Sequence, residues 1–215
     1  MTLNLPRIYP ILDSAYIPSA GRVEFLTHLG QSLSDAGITL IEYRNKPASD
    51  AQVLTDARIL RAVLPAATLI LDDRVDVALA AGFNGVHVDL GDLPPAAARA
   101  LMGPGATIGT SACSEGELTA ALASPVDYIS FGPIFPTNTK QTTALPVGIE
   151  GVRQFRALAG PHQKLVAAAG ITLETAPAIL EAGADAVAVS AAIFNQPDPA
   201  GEFKRWIALL GGRPR

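Results

Sequence analysis

The chain has only one cysteine, Cys113, in 215 residues, which excludes an internal disulfide and fits a reducing compartment. Lone cysteines are most often small buried hydrophobes, and Cys113 is expected to be one. No run of Lys or Arg occurs, and the formal net charge is -4. Binding a phosphate backbone needs positive charge gathered on one face, so nucleic acid is not an expected partner. No apolar segment reaches the roughly 18 residues of a membrane span, and Met1 to Arg7 lacks the basic-then-apolar pattern of an export signal. A cytoplasmic protein without a membrane partner is expected. Also missing is a Gly-x-Gly-x-x-Gly after the first apolar run, which removes the fingerprint of a dinucleotide-binding sheet. What the chain does have is 49% hydrophobic residues, enough to bury one large core, with 19 Gly and 17 Pro for tight connections. Residues 1–215 therefore read as a single domain.

Short runs rich in β-branched residues alternate with Ala/Leu-rich stretches of helical period, the pattern of βα units around a parallel sheet. Eight strands are predicted: Ile8 to Leu12, Thr39 to Tyr43, Thr68 to Leu71, Gly85 to Val88, Thr107 to Gly109, Tyr128 to Phe131, Lys164 to Ala168 and Ala186 to Val189. Helix starts are marked by Ser49-Asp50, by Thr172-Leu173-Glu174 and by Asp198-Pro199, which supply caps, early acids or a first-turn proline. The dipeptides Ala36-Gly37, Ala81-Gly82 and Ala182-Gly183 each fall just before a strand, where glycine can take the left-handed conformation that ends a helix. The fold expected is an α/β single (β/α)8 TIM barrel with parallel strands. Met102 and Trp206 read as helix packing, His28 and His162 as surface, and His87 as a hydrogen-bonded near-core residue, none of the three histidines being assigned to catalysis.

In such barrels chemistry collects at the C-terminal ends of the strands. Arg44 and Lys46 follow the second strand two residues apart, so both side chains point the same way and offer two cations to one anion; a solvated loop pair is the alternative. Asp73 and Asp92 sit on adjacent βα loops. Two carboxylates with room for water suit Mg²⁺, although an Asp in Asp73's place can simply cap a helix. Phe131 through Lys140 is too rich in Gly, Pro and hydroxyls for a helix and too apolar for an idle surface, so it reads as a binding loop. Lys140 would reach a phosphate there, and Thr137 and Thr139 would donate to a second anionic group or else only stabilise turns. Gly170 and the Ser190-Ala191 segment lie on the two loops that commonly build a phosphate site, with plain packing as the alternative.

Taken in order and spacing, Ile8-Tyr9-Pro10-Ile11-Leu12-Asp13, Tyr43-Arg44-Asn45-Lys46, Asp73-Arg74-Val75-Asp76-Val77-Ala78-Leu79, Gly85-Val86-His87, Asp92-Leu93-Pro94 and above all Phe131 through Lys140 resemble the thiamine phosphate synthase family. The resemblance runs from Ile8 to Phe194. It implies a Mg²⁺-dependent transferase that joins a hydroxymethylpyrimidine pyrophosphate to a thiazole phosphate and releases pyrophosphate. Arg44, Lys46, Ser111 and Lys140 are implied to bind the pyrimidine pyrophosphate, with Arg44, Lys46 and Lys140 the catalytic cations. Glu42, Tyr43, Asn45, Asp72 and Asn138 join the implied substrate-binding set; Asp73 and Asp92 are implied to hold Mg²⁺. Thr137, Thr139, Gly170, Ser190 and Ala191 are implied to hold the thiazole phosphate. Several positions depart from the family pattern: Glu42 stands for a Gln, Asp72 for an Asn, Asp89-Leu90 for Gly-Gln, Cys113 for a His, Ala169 for a Gly and Ala191 for a Ser. Related thiazole tautomerases are expected to work through the His replaced by Cys113, which counts against tautomerase chemistry. A barrel that only binds thiazole phosphate is the non-enzymatic alternative. Small-molecule substrates are the expected partners, and a homo-oligomer is left open.

Overall fold

A computed structural model describes residues 3–46, 48–89, 91–137 and 144–211. The strands are β1 (Ile8–Asp13), β2 (Leu40–Arg44), β3 (Thr68–Asp72), β4 (Gly85–Val88), β5 (Thr107–Ala112), β6 (Tyr128–Phe131), β7 (Lys164–Ala168) and β8 (Ala186–Val189). They are all parallel and close in sequence order, with β8 pairing back to β1. Around them lie α1 (Arg22–Asp35), α2 (Asp50–Val63), α3 (Val75–Ala81), α4 (Pro95–Met102), α5 (Glu115–Leu122), α6 (Gly148–Ala159), α7 (Ala176–Glu181), the single turn α8 (Ala191–Phe194) and α9 (Pro199–Leu210). The expected TIM barrel is the observed fold.

Strands β4, β6, β7 and β8 have the predicted bounds, whereas β1, β2, β3 and β5 run further toward the C-terminal mouth. Polar residues there broke the apolar pattern, but the backbone ladder continues through them, pairing Asp13 with Arg44, Asp72 with His87 and Ser111 with Ser130. Ser49 caps α2 by accepting from Gln52 N, and Asp198 caps α9 by accepting from Gly201 N, as predicted. Helix α7 begins later than the Thr172 signal suggested. Thr172 N instead donates to Thr175 Oγ1 at 3.0 Å, which closes a turn ahead of the helix. Gly37, Gly82 and Gly183 all have positive φ (84°, 71° and 119°), the left-handed exits expected of them.

Alternation along the strands separates two cores. Inside the barrel lie Tyr9, Leu40, Tyr128, Val166, Ala186 and Ala188, joined from below by Leu5. The larger core packs the outward strand residues against the helices, and Trp206 of α9 is fully buried in it. Met102 is half-buried at the end of α4, while His28 and His162 are exposed. No described helix is long and apolar enough to cross a membrane.

A recurring arginine staple closes the N-terminal face. Arg61 on α2, Arg99 on α4 and Arg156 on α6 each reach the residue just before a strand, namely Asn84, Asp127 and Asp185. That same side chain accepts from a backbone N–H of the neighbouring strand: Leu69, Ile108 and Leu165 in turn. Each guanidinium also donates to carbonyls of the loop that follows its own helix; Arg156, for example, reaches Gly160 and Gln163. The planar fork satisfies several groups at fixed angles, which an ammonium cannot do. Arg156→Lys is accordingly expected to lower stability by roughly 2 kcal/mol in urea unfolding, while activity per folded molecule stays the same, because the staple lies at the end of the barrel away from the mouth.

Candidate active site

Inward-facing positions of β1, β2, β4 and β6 bring Tyr9, Glu42, His87 and Tyr128 together beneath the mouth. Gly109 makes room for the phenol, since a Cβ there would lie 2.0 Å from the Tyr128 ring. The hydrogen bonds run in one direction. Tyr9 donates to Glu42 Oε2 at 2.8 Å, so its oxygen must accept from Tyr128 at 2.5 Å, and Tyr128 must in turn accept from His87 Nδ1 at 3.0 Å. His87 Nε2 faces Ser111 Oγ at 2.9 Å and Asp89 Oδ1 at 3.4 Å. Burial would lower the imidazole pKa, but the Asp89 hydrogen bond and the charges of Glu42, Asp89 and Asp72 outweigh it and lift it to about 9. Near neutrality His87 is an imidazolium that donates from both nitrogens. Burial raises the Glu42 pKa above the usual carboxylate range, with the His87 charge and the Tyr9 hydrogen bond opposing. A small cavity of about 90 Å³ separates these groups from Arg44, Asp72, Ser111 and Ser130.

Above this floor the rim is ionic. Arg44 Nη1 donates to Asp13 Oδ2 at 2.5 Å, and its Nε lies 3.2 Å from Asp72 Oδ2. Lys46 Nζ donates to both oxygens of Asp73 at 2.9 and 2.7 Å and lies 3.4 Å from Asp72. Arg44 and Lys46 thus point the same way, as their spacing predicted, and the group they converge on is the carboxylate of Asp72. Burial and the nearby Glu42 charge raise the Asp72 pKa to about 7, against the pull of His87 and Lys46. Asp73 and Asp92 come together at the next position round the rim: Asp92 Oδ2 accepts from Asp89 N at 2.7 Å, and the Asp73 carboxyl group is near enough to raise the Asp92 pKa. Burial and then the Asp73 contact raise the Asp92 pKa, partly offset by the Asp89 amide. Two carboxyl groups held this close favour a cation between them. Among the described residues no group of three or more His, Cys, Asp or Glu forms a metal cluster, so a bound ion would draw its other ligands from water and substrate.

The other side of the mouth is a cavity of about 520 Å³ lined by Asp13, Arg44, Thr137, the 168–172 segment and the 188–192 segment. Its wall is two loops stacked backbone to backbone. Ile134 N donates to Ala168 O and Phe135 N to Ala169 O, after a cis Gly132–Pro133 peptide. Gly170 has φ 69°, and a Cβ there would meet Phe135 O at 2.6 Å, so a side chain is excluded twice over. Its neighbour Ala169, where a glycine was expected, is held at φ 74°. Ser190 Oγ is buried and has no hydrogen-bond partner among the described residues.

The structure therefore gathers Glu42, Arg44, Lys46, Asp72, Asp73, Asp92 and Ser111 on one side and Thr137, Gly170, Ser190 and Ala191 on the other. Asn45 lines a recess beside Lys46, Asp72 and Asp73. Tyr43 has to be removed from the mouth. Strand alternation turns it outward, where its hydroxyl meets Asp56, Arg22 and Asn45 beneath α1 and α2. Cys113 is exposed rather than buried, because it stands one residue past β5 on the loop at the mouth. Asn138, Thr139 and Lys140 lie outside the described residues. Sequence reasoning missed Asp13, Tyr9 and Tyr128. Period-two alternation back from Asp13 through Ile11 to Tyr9 carried that signal.

The family model described as thiamine monophosphate synthase matches residues 8–193. A thiamine-phosphate synthase of Koribacter versatilis is 42% identical over 196 residues, covering 91% of this chain and 92% of that one. One from Azorhizobium caulinodans is 39% identical over 196 residues, covering 88% and 91%. Among solved structures, thiamine phosphate pyrophosphorylase from Pyrococcus furiosus superposes with a TM-score of 0.81 at 28% identity, covering 95% of each chain.

Two stability effects follow from the site. The folded-state pKa of His87, about 9, lies above its ordinary 6.5, so its contribution is complete below pH 6.5 and is lost as pH rises through 9. Urea unfolding across that window is expected to show a fall on the order of 2 kcal/mol; a flat profile would contradict the buried imidazolium. Ala169→Gly relieves a left-handed alanine at some cost in chain entropy, and is expected to gain roughly 0.5 kcal/mol in the same assay.

Proposed function

The chain belongs to the thiamine monophosphate synthase family, and on that premise we propose how its mouth carries out the family reaction. It is a thiamine-phosphate synthase, a transferase that joins an aminopyrimidine pyrophosphate to a thiazole phosphate and releases pyrophosphate. The observation that carries the reading of the site is the convergence of Arg44 and Lys46 on the acidic rim directly beside the 520 Å³ cavity. In this reading the pyrimidine lies over the floor between Glu42 and Ser111, with its pyrophosphate turned toward Arg44 and Lys46, and the family resemblance adds Lys140 as a third cation for it. The thiazole phosphate lies against Gly170, Ser190 and Ala191, with Thr137 beside it, and the family resemblance adds Thr139 to that set. The unpartnered Ser190 hydroxyl supports that placement, since a buried donor without a partner costs free energy that a phosphate oxygen would return.

Asp73 and Asp92 would hold Mg²⁺, since the two stand on adjacent loops and Asp73 is near enough to raise the Asp92 pKa. Bound there, the ion would supply charge neutralisation for the departing pyrophosphate. Everything else is the work of this chain. Arg44 and Lys46 draw negative charge toward the rim as the bond from the methylene carbon to oxygen breaks, and preorganised cations cost no reorganisation at that moment. Asp13 and Asp72 hold Arg44 in place from both flanking strands. The buried carboxylates of the floor face the ring on which positive charge develops, while the apolar wall from Ile171 and Val189 keeps water from the thiazole nitrogen's line of attack. We place this chemistry in the cytoplasm, in keeping with an exposed thiol.

The reading is checked by incubating the purified protein with both substrates, with and without Mg²⁺, and detecting thiamine phosphate and pyrophosphate by mass spectrometry. Product should form only with the ion. Asp73→Asn keeps a residue that tolerates φ 65° and is expected to lower kcat/KM by about 100-fold or more, as is Lys140→Ala. Both variants should unfold within a few tenths of a kcal/mol of the parent, and full activity in either would remove it from the site.

A further inference from the structure

Glu42 combines features that a substrate-binding amide would not have. It is 3% exposed, it lines the floor cavity, and its Oε2 is already taken as acceptor by the Tyr9 hydroxyl. Its Oε1 makes no hydrogen bond to a described residue. An aminopyrimidine edge presents a ring nitrogen that accepts beside an exocyclic amine that donates. An amide answers that edge with one donor and one acceptor, whereas an ionised carboxylate has only acceptors. A carboxylate facing an unprotonated ring nitrogen would set two lone pairs against each other in a buried site.

We propose that Glu42 and a ring nitrogen of the bound aminopyrimidine share one proton, so that this chain takes up its pyrimidine together with a proton that an amide at position 42 would not need. The proposal rests on the reading that places the pyrimidine over the floor. The proton sits on the Oε1 side, because the phenol of Tyr9 occupies Oε2 as a donor. Whether it resides on oxygen or on nitrogen, the stoichiometry is the same, and both hydrogen bonds of the edge are made.

The surroundings favour this count. The groups facing Glu42 are Tyr9 from β1, Arg44 from its own strand, Asp72 from β3, His87 from β4 with Asp89 just past it, and Tyr128 from β6, while β7 and β8 contribute only apolar side chains such as Ala168 and Ala188. Asp89 and Ser111 hold His87 as an imidazolium, and Arg44 is engaged by Asp13 and Asp72, so each cation on the floor already has an acidic partner. Burial already holds Glu42 toward its protonated form. A proton delivered with the ligand meets a carboxylate that desolvation has made more basic.

The test uses the phosphate-free probe 4-amino-2-methyl-5-hydroxymethylpyrimidine and isothermal calorimetry on the whole chain. Titrations on the alkaline side, where free Glu42 is ionised, in buffers of different ionisation enthalpy should report close to one proton taken up per ligand. On the alkaline side the wild-type Kd should rise about tenfold per pH unit, whereas in Glu42→Gln it should stay constant within about threefold. Pyrimidine binding without proton uptake, or with the same pH slope in both proteins, would overturn the shared proton and leave the site assignment standing. Failure of the pyrimidine to bind either protein would sink the proposal along with the placement over the floor. Should Glu42→Gln not fold, the proton count of the wild-type protein decides alone.

Discussion

The mouth of this barrel depends on one buried charge arrangement: Asp72, almost fully removed from water, faced by Arg44 and Lys46. A carboxylate in that position without cations would be strongly destabilising, and two cations without it would repel each other across the site. Each of the three holds the others in register. Arg44 is further fixed by Asp13 and Lys46 by Asp73, so the ionic rim spans β1, β2 and the start of the β3 loop as one rigid unit. Preorganised positive charge of this kind is what a departing polyanion requires.

The same logic explains how the chain carries more acid than its family leads one to expect. Glu42, Asp72 and Asp89 stand where amides or glycine were anticipated, and each has found a counter-group. Glu42 accepts from Tyr9, Asp72 lies between Arg44 and Lys46, and Asp89 meets the imidazolium of His87. The phenols of Tyr9 and Tyr128 connect the two ends of this network, so the imidazolium and Glu42 polarise one another through a one-way chain of hydrogen bonds. Glu42 and Asp89 are thereby built into the floor, and Asp72 is held inside the rim by its two cations.

Opposite faces of the barrel carry different kinds of constraint. The N-terminal face repeats the same arginine staple under β4, β6 and β8, a device that serves stability alone. The C-terminal face holds the positive-φ non-glycine residues Asp73 and Ala169, the stacked loops and the buried unpartnered hydroxyl of Ser190. Strain and unsatisfied groups gather where ligands are expected and are absent from the staples, a division familiar in this fold.

Alternating apolar and helical periods were enough to establish a parallel (β/α)8 barrel, because each short β-branched run needs cover on both faces and eight such runs in order close on themselves. Position after a strand was enough to nominate Arg44, Lys46, Asp73, Asp92, Gly170 and Ser190, since the mouth of such a barrel is defined by chain direction. Which way a side chain turns at a strand end was decided only in three dimensions. Arg44 faces in and Tyr43 faces out because the ladder continues past the last apolar residue, and neither composition nor spacing reveals where pairing stops. The ring of Tyr9, Glu42, His87 and Tyr128 was likewise invisible along the chain, for its members lie on four strands that meet only when the sheet closes.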